Sequence, residues 1–217
     1  MTENSTKKIG FTSAKGRAVE AAFEGGAVSS DGGSLLMREA DRKLGLIRDI
    51  SRRLDDGRQL GKVRHGCETM LRQRVMALIA GWEDLNDAQL LRHDPVHQVA
   101  AGAGEDLASA ATLCRFENGQ TREAAWAVNF ALVEQFIASH RKAPPVLVLD
   151  FDATDTPVHG KQEGRFFHGY YDCHCFLPLY VFCGDQLLVA YLRRSNIDAA
   201  RHAAAINAVR EKIAIIH

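Results

Sequence analysis

Lys142-Ala143-Pro144-Pro145-Val146-Leu147-Val148-Leu149-Asp150-Phe151-Asp152 is the stretch at which the chain changes its period. A short apolar run rich in β-formers and opened by two prolines predicts a strand buried on both faces. Side chains alternate along a strand, so Asp150 and Asp152 share one face about 7 Å apart, opposite Leu149 and Phe151. Downstream, the runs Cys175 to Cys183 and Gln186 to Arg193 flank Gly184-Asp185, which predicts an antiparallel hairpin. Asp198 then caps an amphipathic helix through Ala199, Ala203, Ile206, Val209 and Ile213. An acidic strand, a hairpin and a helix in that order make an unfinished α/β unit. A helix after a strand ordinarily leads back to a parallel neighbour, so the pattern predicts a truncated gene product.

Upstream of Lys142 the periodicity is helical. Leu35, Leu36, Leu44, Leu46 and Ile47 recur at turn spacing, with Asp31 and the glycines before Ser34 as the start. A second helix is expected from Cys67 to Trp82, with Met70, Leu71, Val75, Leu78 and Ile79 as its stripe. Shorter ones follow at Asn86 to His93 and Thr112 to Glu117, the latter ending at the turn signal Asn118-Gly119. Thr121 caps the longest, through Ala124, Ala125, Val128, Ala131, Leu132 and Phe136. The expected organisation is a flexible segment over residues 1–29, a helical region over 30–143, and the first part of an α/β core over 144–217.

The 46% hydrophobic content against 25% charged is that of a folding chain and excludes a disordered one. Lys+Arg 27 against Asp+Glu 27 leaves no overall field for polyanions, so any nucleic-acid surface must be a local patch. One such patch is visible: from Arg38 to Arg74, eleven Lys/Arg oppose six Asp/Glu. Ser109 to Asn118, a turn and the Thr121 helix also have the outline of a helix-turn-helix. The five cysteines, an odd number without a two-residue gap, suit reduced thiols in a cytoplasmic protein. No signal peptide opens the sequence and no run of roughly 18 apolar residues crosses it, so neither export nor a membrane span is expected.

Two readings of Asp152 stand side by side on spacing alone. It caps the turn at Thr154 and Asp155, as Asp commonly does after a strand, or it is a ligand for Mg²⁺, which takes one or two carboxylates plus phosphate and water. Cys173, His174 and Cys175 with His168 and Cys183 have the wrong spacing for a zinc knuckle. Trp82 and Trp126 lie on apolar faces as core residues, and Cys114 beside Arg115 lacks the partners of a thiol nucleophile.

Ordered motifs narrow the field. Asp150-Phe-Asp152-Ala-Thr154-Asp155, His159-Gly160-Lys161-Gln162-Glu163-Gly164, His168-Gly169-Tyr170-Tyr171-Asp172, Leu177-Pro178-Leu179-Tyr180 and Leu192-Arg193-Arg194-Ser195-Asn196-Ile197-Asp198 follow one another. Upstream come Gly81-Trp82-Glu83-Asp84-Leu85-Asn86-Asp87, Leu91-Arg92-His93-Asp94-Pro95 and Thr112-Leu113-Cys114-Arg115-Phe116-Glu117-Asn118. Together they resemble the DDE insertion-sequence transposases, and more narrowly the group whose type element is numbered thirteen-eighty, from about Phe11 to the last residue.

The resemblance implies a ribonuclease H-like core, here incomplete, behind a helical DNA-contacting region. In it three acids hold two Mg²⁺ or Mn²⁺ ions and cut and rejoin double-stranded DNA at terminal inverted repeats. The first acid falls on Asp152, with Asp150 as the fallback, and the second and third acids of the family lie beyond residue 217. His159, Lys161, Gln162, Arg165, Arg193 and Arg194 are the expected DNA contacts. Two-metal transfer needs ions about 4 Å apart bridged by carboxylates, so residues 1–217 alone are expected to be inactive. The resemblance further implies a cytoplasmic, nucleoid-associated protein, as a homodimer or paired with a full-length transposase. The rival readings are a non-catalytic DNA-binding module, a relic occupying terminal repeats or a full-length copy, and an unrelated metal-dependent nuclease.

Overall fold

The computed structural model of the chain describes residues 8–21 and 31–198. It divides into two compact units, Met1–Ala124 and Ala125–His217. The expected Asp198-capped helix lies outside the described residues.

The first unit opens with a correction. Residues 9–21, expected to be flexible, form an antiparallel hairpin of β1 (Ile9–Ala14) and β2 (Arg17–Ala21). Lys15 and Gly16 both have positive φ, 44° and 80°, the backbone of a type I′ turn whose twist matches its strands. Ala14 and Val19 pack with Leu35, and Phe11, Val96 and Val99 close around them. That burial offsets the ordering of a short two-stranded element, which is marginal alone.

Helices then follow as α1 (Ser34–Leu44), α2 (Leu46–Ser51), α3 (Cys67–Ile79), α4 (Ala88–Leu91), α5 (Pro95–Ala101), α6 (Ala110–Asn118) and α7 (Arg122–Ser139). Their ends have local causes. Gly45 at φ 70° stops α1 in the left-handed conformation, its amide donating to the Asp41 carbonyl. Asp94 accepts from the amides of Val96 and His97 at the start of α5, where Pro95 has no amide to satisfy. Ser109 caps α6, and the Thr121 hydroxyl accepts from the Ala124 amide at the head of α7. The helix expected to reach Trp82 ends at Ile79, because Gly81 turns the chain at φ 92°.

The buried faces differ in part from the apolar stripes. Leu36, Leu44, Leu78 and Ile79 are exposed, while Met70 and Met76 of α3 are buried in two separate clusters, with Leu113 and with Ile47. Between them Gln73, 3% exposed, donates its amide to the Ala108 carbonyl at 2.9 Å and accepts the Ala108 amide at 3.0 Å. Gln73 thus replaces, with one side chain, the backbone partners a strand would have supplied. Gln73→Ala should cost about 2–4 kcal/mol, since it strands a buried N–H and a buried C=O together. Thermal denaturation followed by circular dichroism checks this, with Gln73→Glu as the near-isosteric comparison.

In the second unit, the described residues of α7 lie with two small sheets. One has the order β3 (Asp150–Ala153), β7 (Leu179–Cys183), β8 (Gln186–Tyr191), all antiparallel. The other has the order β4 (Thr156–Pro157), β6 (Cys173–Phe176), β5 (Phe166–His168). Val133 and Phe136 of α7 form a core with Leu179, Val181, Leu188 and Val189, and Leu147 and Leu149 pack on it. Asn129, also buried, accepts the Ala190 amide at 2.9 Å, so the helix satisfies an edge donor of β8.

The Gly184-Asp185 hairpin is present, with Gly184 at φ 57° in the first central position, as a type II′ turn requires. Its register shifts once: Val181 faces Val189 and Phe182 faces Leu187, so Leu188 is the extra residue of a bulge. The run Cys175 to Cys183 is not one strand. Pro178 lacks an amide donor, the chain leaves the sheet at Leu177-Pro178, and the two pieces join different sheets. No helix among the described residues is long and apolar enough to cross a membrane.

Candidate active site

The acidic strand is shorter and more open than its apolar run suggests. Strand pairing begins at Asp150 rather than Val146, and among the described residues β3 pairs only with β7. The alternation holds: Leu147 and Leu149 face the core, while Val146 and Val148 are 73% and 75% exposed. The expectation of burial on both faces is therefore wrong. An apolar run signals two covered faces only when other elements pack on both sides of the sheet, and among the described residues a core covers only the side of Leu147 and Leu149.

The alternation leaves the acids on the uncovered face. Asp150 stands opposite Phe182 and Asp152 opposite Tyr180, on one face of β3, and both residues are exposed. Neither carboxylate has a hydrogen-bond partner among the described residues. The turn-capping geometry is absent there: the Thr154 amide donates to the Pro178 carbonyl at 3.3 Å, not to Asp152.

Around the end of β3 lie groups that the sequence alone did not bring together. The Tyr171 hydroxyl donates to the Ala153 carbonyl at 3.5 Å, and the Cys173 thiol is 4.0 Å from the Asp155 carboxylate. Burial pushes the Tyr171 phenol above its usual pKa, and the negative charges of Asp155 and Asp152 add to this. It stays a protonated donor beside the acids. Burial also raises the Cys173 thiol, helped by Cys175 and Asp155, which disfavours the thiolate a nucleophile needs. Cys173 and Cys175 share one face of β6 and His174 points from the other, with Phe167 packed edge-on to its ring at 5.6 Å.

His159, Lys161 and Gln162 are exposed in the link between β4 and β5, and Arg165 at its end is half-buried. Arg194 is exposed and makes an isolated bridge to Phe176. Arg193 is a correction: it is 3% exposed, and its Nε donates to the Leu177 carbonyl at 2.9 Å. It ties the link between the sheets to the end of β8 and is not presented to a phosphate.

As oxygen donors without competing hydrogen bonds, Asp152 and Asp150 suit a hard divalent cation that takes one or two carboxylates and completes its shell with water and phosphate oxygens. Among the described residues no group of three His, Cys, Asp or Glu gathers as a complete metal site. The geometry thus supplies one carboxylate strand, open on its outward face and flanked by a phenol.

Comparison with known proteins gives one positive finding. A family model described as transposase DDE domain group 1 matches residues 11–215, nearly the whole chain. No curated protein and no solved structure matches. With its outward acids on a mixed helix and sheet framework and a match of that extent, the chain belongs to the transposase DDE domain family.

Proposed function

We propose that this chain acts in DNA transposition, as a transposase of the thirteen-eighty group that works at the terminal inverted repeats of an insertion sequence. The observation that carries the reading is the exposed, unengaged carboxylate of Asp152 on the outward face of β3. A structural aspartate at a strand end is ordinarily tied to nearby amides. The antiparallel order β3-β7-β8, with the acid on the first strand in sequence and a hairpin supplying the other two, supports a ribonuclease H-like core.

The family uses divalent metal generally, and such a cation supplies charge stabilisation at the oxygens of a phosphodiester undergoing displacement. In this reading Asp152 is the ligand and Asp150 its neighbour on the same face. Tyr171 is held as a donor beside them, and His159, Lys161, Gln162, Arg165 and Arg194 line the DNA path. With the carboxylates of this one strand, residues 1–217 bind repeat DNA but do not cut it alone.

Incubating the chain with end-labelled terminal-repeat duplex and Mn²⁺ tests this: a mobility shift without nicks is expected. Mn²⁺ binding, read by loss of the free-ion paramagnetic signal, should fall on Asp152→Ala while DNA affinity stays unchanged. Metal-dependent nicking that survives Asp152→Ala would remove Asp152 from the chemistry. A chain that shifts repeat DNA yet binds no Mn²⁺ through Asp152 would be a DNA-binding module instead.

A further inference from the structure

The first unit contains a cleft of about 620 Å³, walled by the irregular stretch between α2 and α3, by Arg92, and by α6 with the turn after it. Its cationic lining is Arg58, Lys62, Arg64, Arg92 and Arg115, against the carboxylates of Asp55 and Asp56. The surplus of positive charge sits in a chain of net charge zero, so it is a local concentration and not a share of a basic surface.

Both acids are already engaged, Asp56 with one of the lining cations itself. Asp56 holds Arg58 through two contacts, of 2.6 and 2.7 Å. Asp55 accepts the Thr121 hydroxyl at 2.6 Å, and its backbone is clasped on both sides by the Gln120 side chain. These bonds pin the irregular wall to the α6–α7 turn, so the cleft is built in advance. Arg64 meets Glu105 at 3.2 Å in an exposed pair that exchanges for a phosphate at little cost, and the half-buried Arg92 meets Asp106 at 4.0 Å. Lys62 and Arg115 are exposed and have no ion-pair partner among the described residues.

His65, in the same lining, senses that field. Burial is the first cause holding its imidazole below the usual range, and Arg64, Arg92 and Arg58 push the same way against Glu105. The lining also carries the hydroxyls of Ser109 and Thr112 and the ring of Phe116. Cations spread over three separate segments outnumber what one phosphate group accepts, which favours a polymer of phosphates over a lone anion.

We propose that this cleft seats the sugar-phosphate backbone of a DNA strand, with Lys62 and Arg115 as its principal phosphate contacts. The proposal rests on the transposase reading above and places a DNA contact in the unit that does not carry Asp152.

The test is anisotropy of fluorescein-labelled duplex, and of single strand of the same length, against the 217-residue chain over a salt series. Each phosphate contact contributes about 0.9 to the slope of log K against log salt, so Lys62→Gln/Arg115→Gln should lower it by about 1.8. The charge-keeping Lys62→Arg/Arg115→Lys should retain the wild-type slope. Both pairs should keep the wild-type melting temperature, because both side chains are exposed. An unchanged slope in the Gln pair, with wild-type binding intact, overturns the cleft and leaves the transposase reading standing. Absence of wild-type binding at low salt overturns both. Displacement of DNA by inorganic phosphate or a mononucleotide, beyond its effect as salt, would make this a small-anion pocket and overturn the DNA assignment.

Discussion

Asp31→Ala is expected to destabilise the first unit by about 3–5 kcal/mol, because one carboxylate oxygen serves two donors there. Asp31 Oδ2 accepts from Trp82 Nε1 and from His97 Nε2, each at 2.8 Å. A carboxylate only accepts, so His97 carries its proton on Nε2 in this contact. His97 is 2% exposed and the Asp31 side chain 11%, so water does not readily replace the lost acceptor for the imidazole. Each bond to a charged acceptor is worth about 1.5–3 kcal/mol, which sets the range. Asp31→Asn keeps an acceptor oxygen without the charge and should cost about 1–2 kcal/mol. Trp82 fluorescence during urea unfolding, in a Trp126→Phe background, reads the contact itself. A midpoint for Asp31→Ala within error of the parent would mean that the three side chains do not hold one another.

Leu188→Ala should cost the second unit about 3–5 kcal/mol, at the upper part of the range for buried leucines. Leu188 is fully buried and is the bulged residue of β8, so no cross-strand partner can lean in to fill the void. Its cluster joins α7, β7 and β8, and the same cluster carries Leu147 and Leu149, which anchor the strand of the two acids. The loss therefore reaches the candidate site through packing. Leu188→Met, which nearly conserves volume, should cost less than about 1.5 kcal/mol. Trp126 packs on this cluster and lies edge-on to Tyr191 at 5.5 Å, so its fluorescence in a Trp82→Phe background follows the transition. Equal midpoints for the alanine and methionine variants would contradict a packed core at this position.

Local chemistry was legible in the sequence. The Thr121 cap, the Gly184-Asp185 turn and the alternation that puts Asp150 and Asp152 on one face all depend on residues within a few positions of each other. What depends on distant partners was not. Asp31 meets residues 51 and 66 positions away, and Gln73 meets Ala108 across 35, with no periodic signal to announce either. Arg193 reads as a surface cation until its carbonyl partner at Leu177 is seen. The hairpin of residues 9–21 was missed because Lys15-Gly16 is not among the commonest type I′ pairs. The apolar run at Val146 misled about burial because composition does not report whether a helix or a second sheet packs on each face, and among the described residues only the side of Leu147 and Leu149 is covered.

The two outward aspartates also bear on colloidal behaviour. A strand ending its sheet invites an identical copy to add beside it, and chains restrain such polymerisation with short edges and like charges that repel. Among the described residues β3 is such an edge, four residues long with a carboxylate at every second position, beside the greasy Val146 and Val148. Neutralising both acids to probe metal binding would release that restraint as well, so a loss of function in such a variant is interpretable only if the material remains monodisperse.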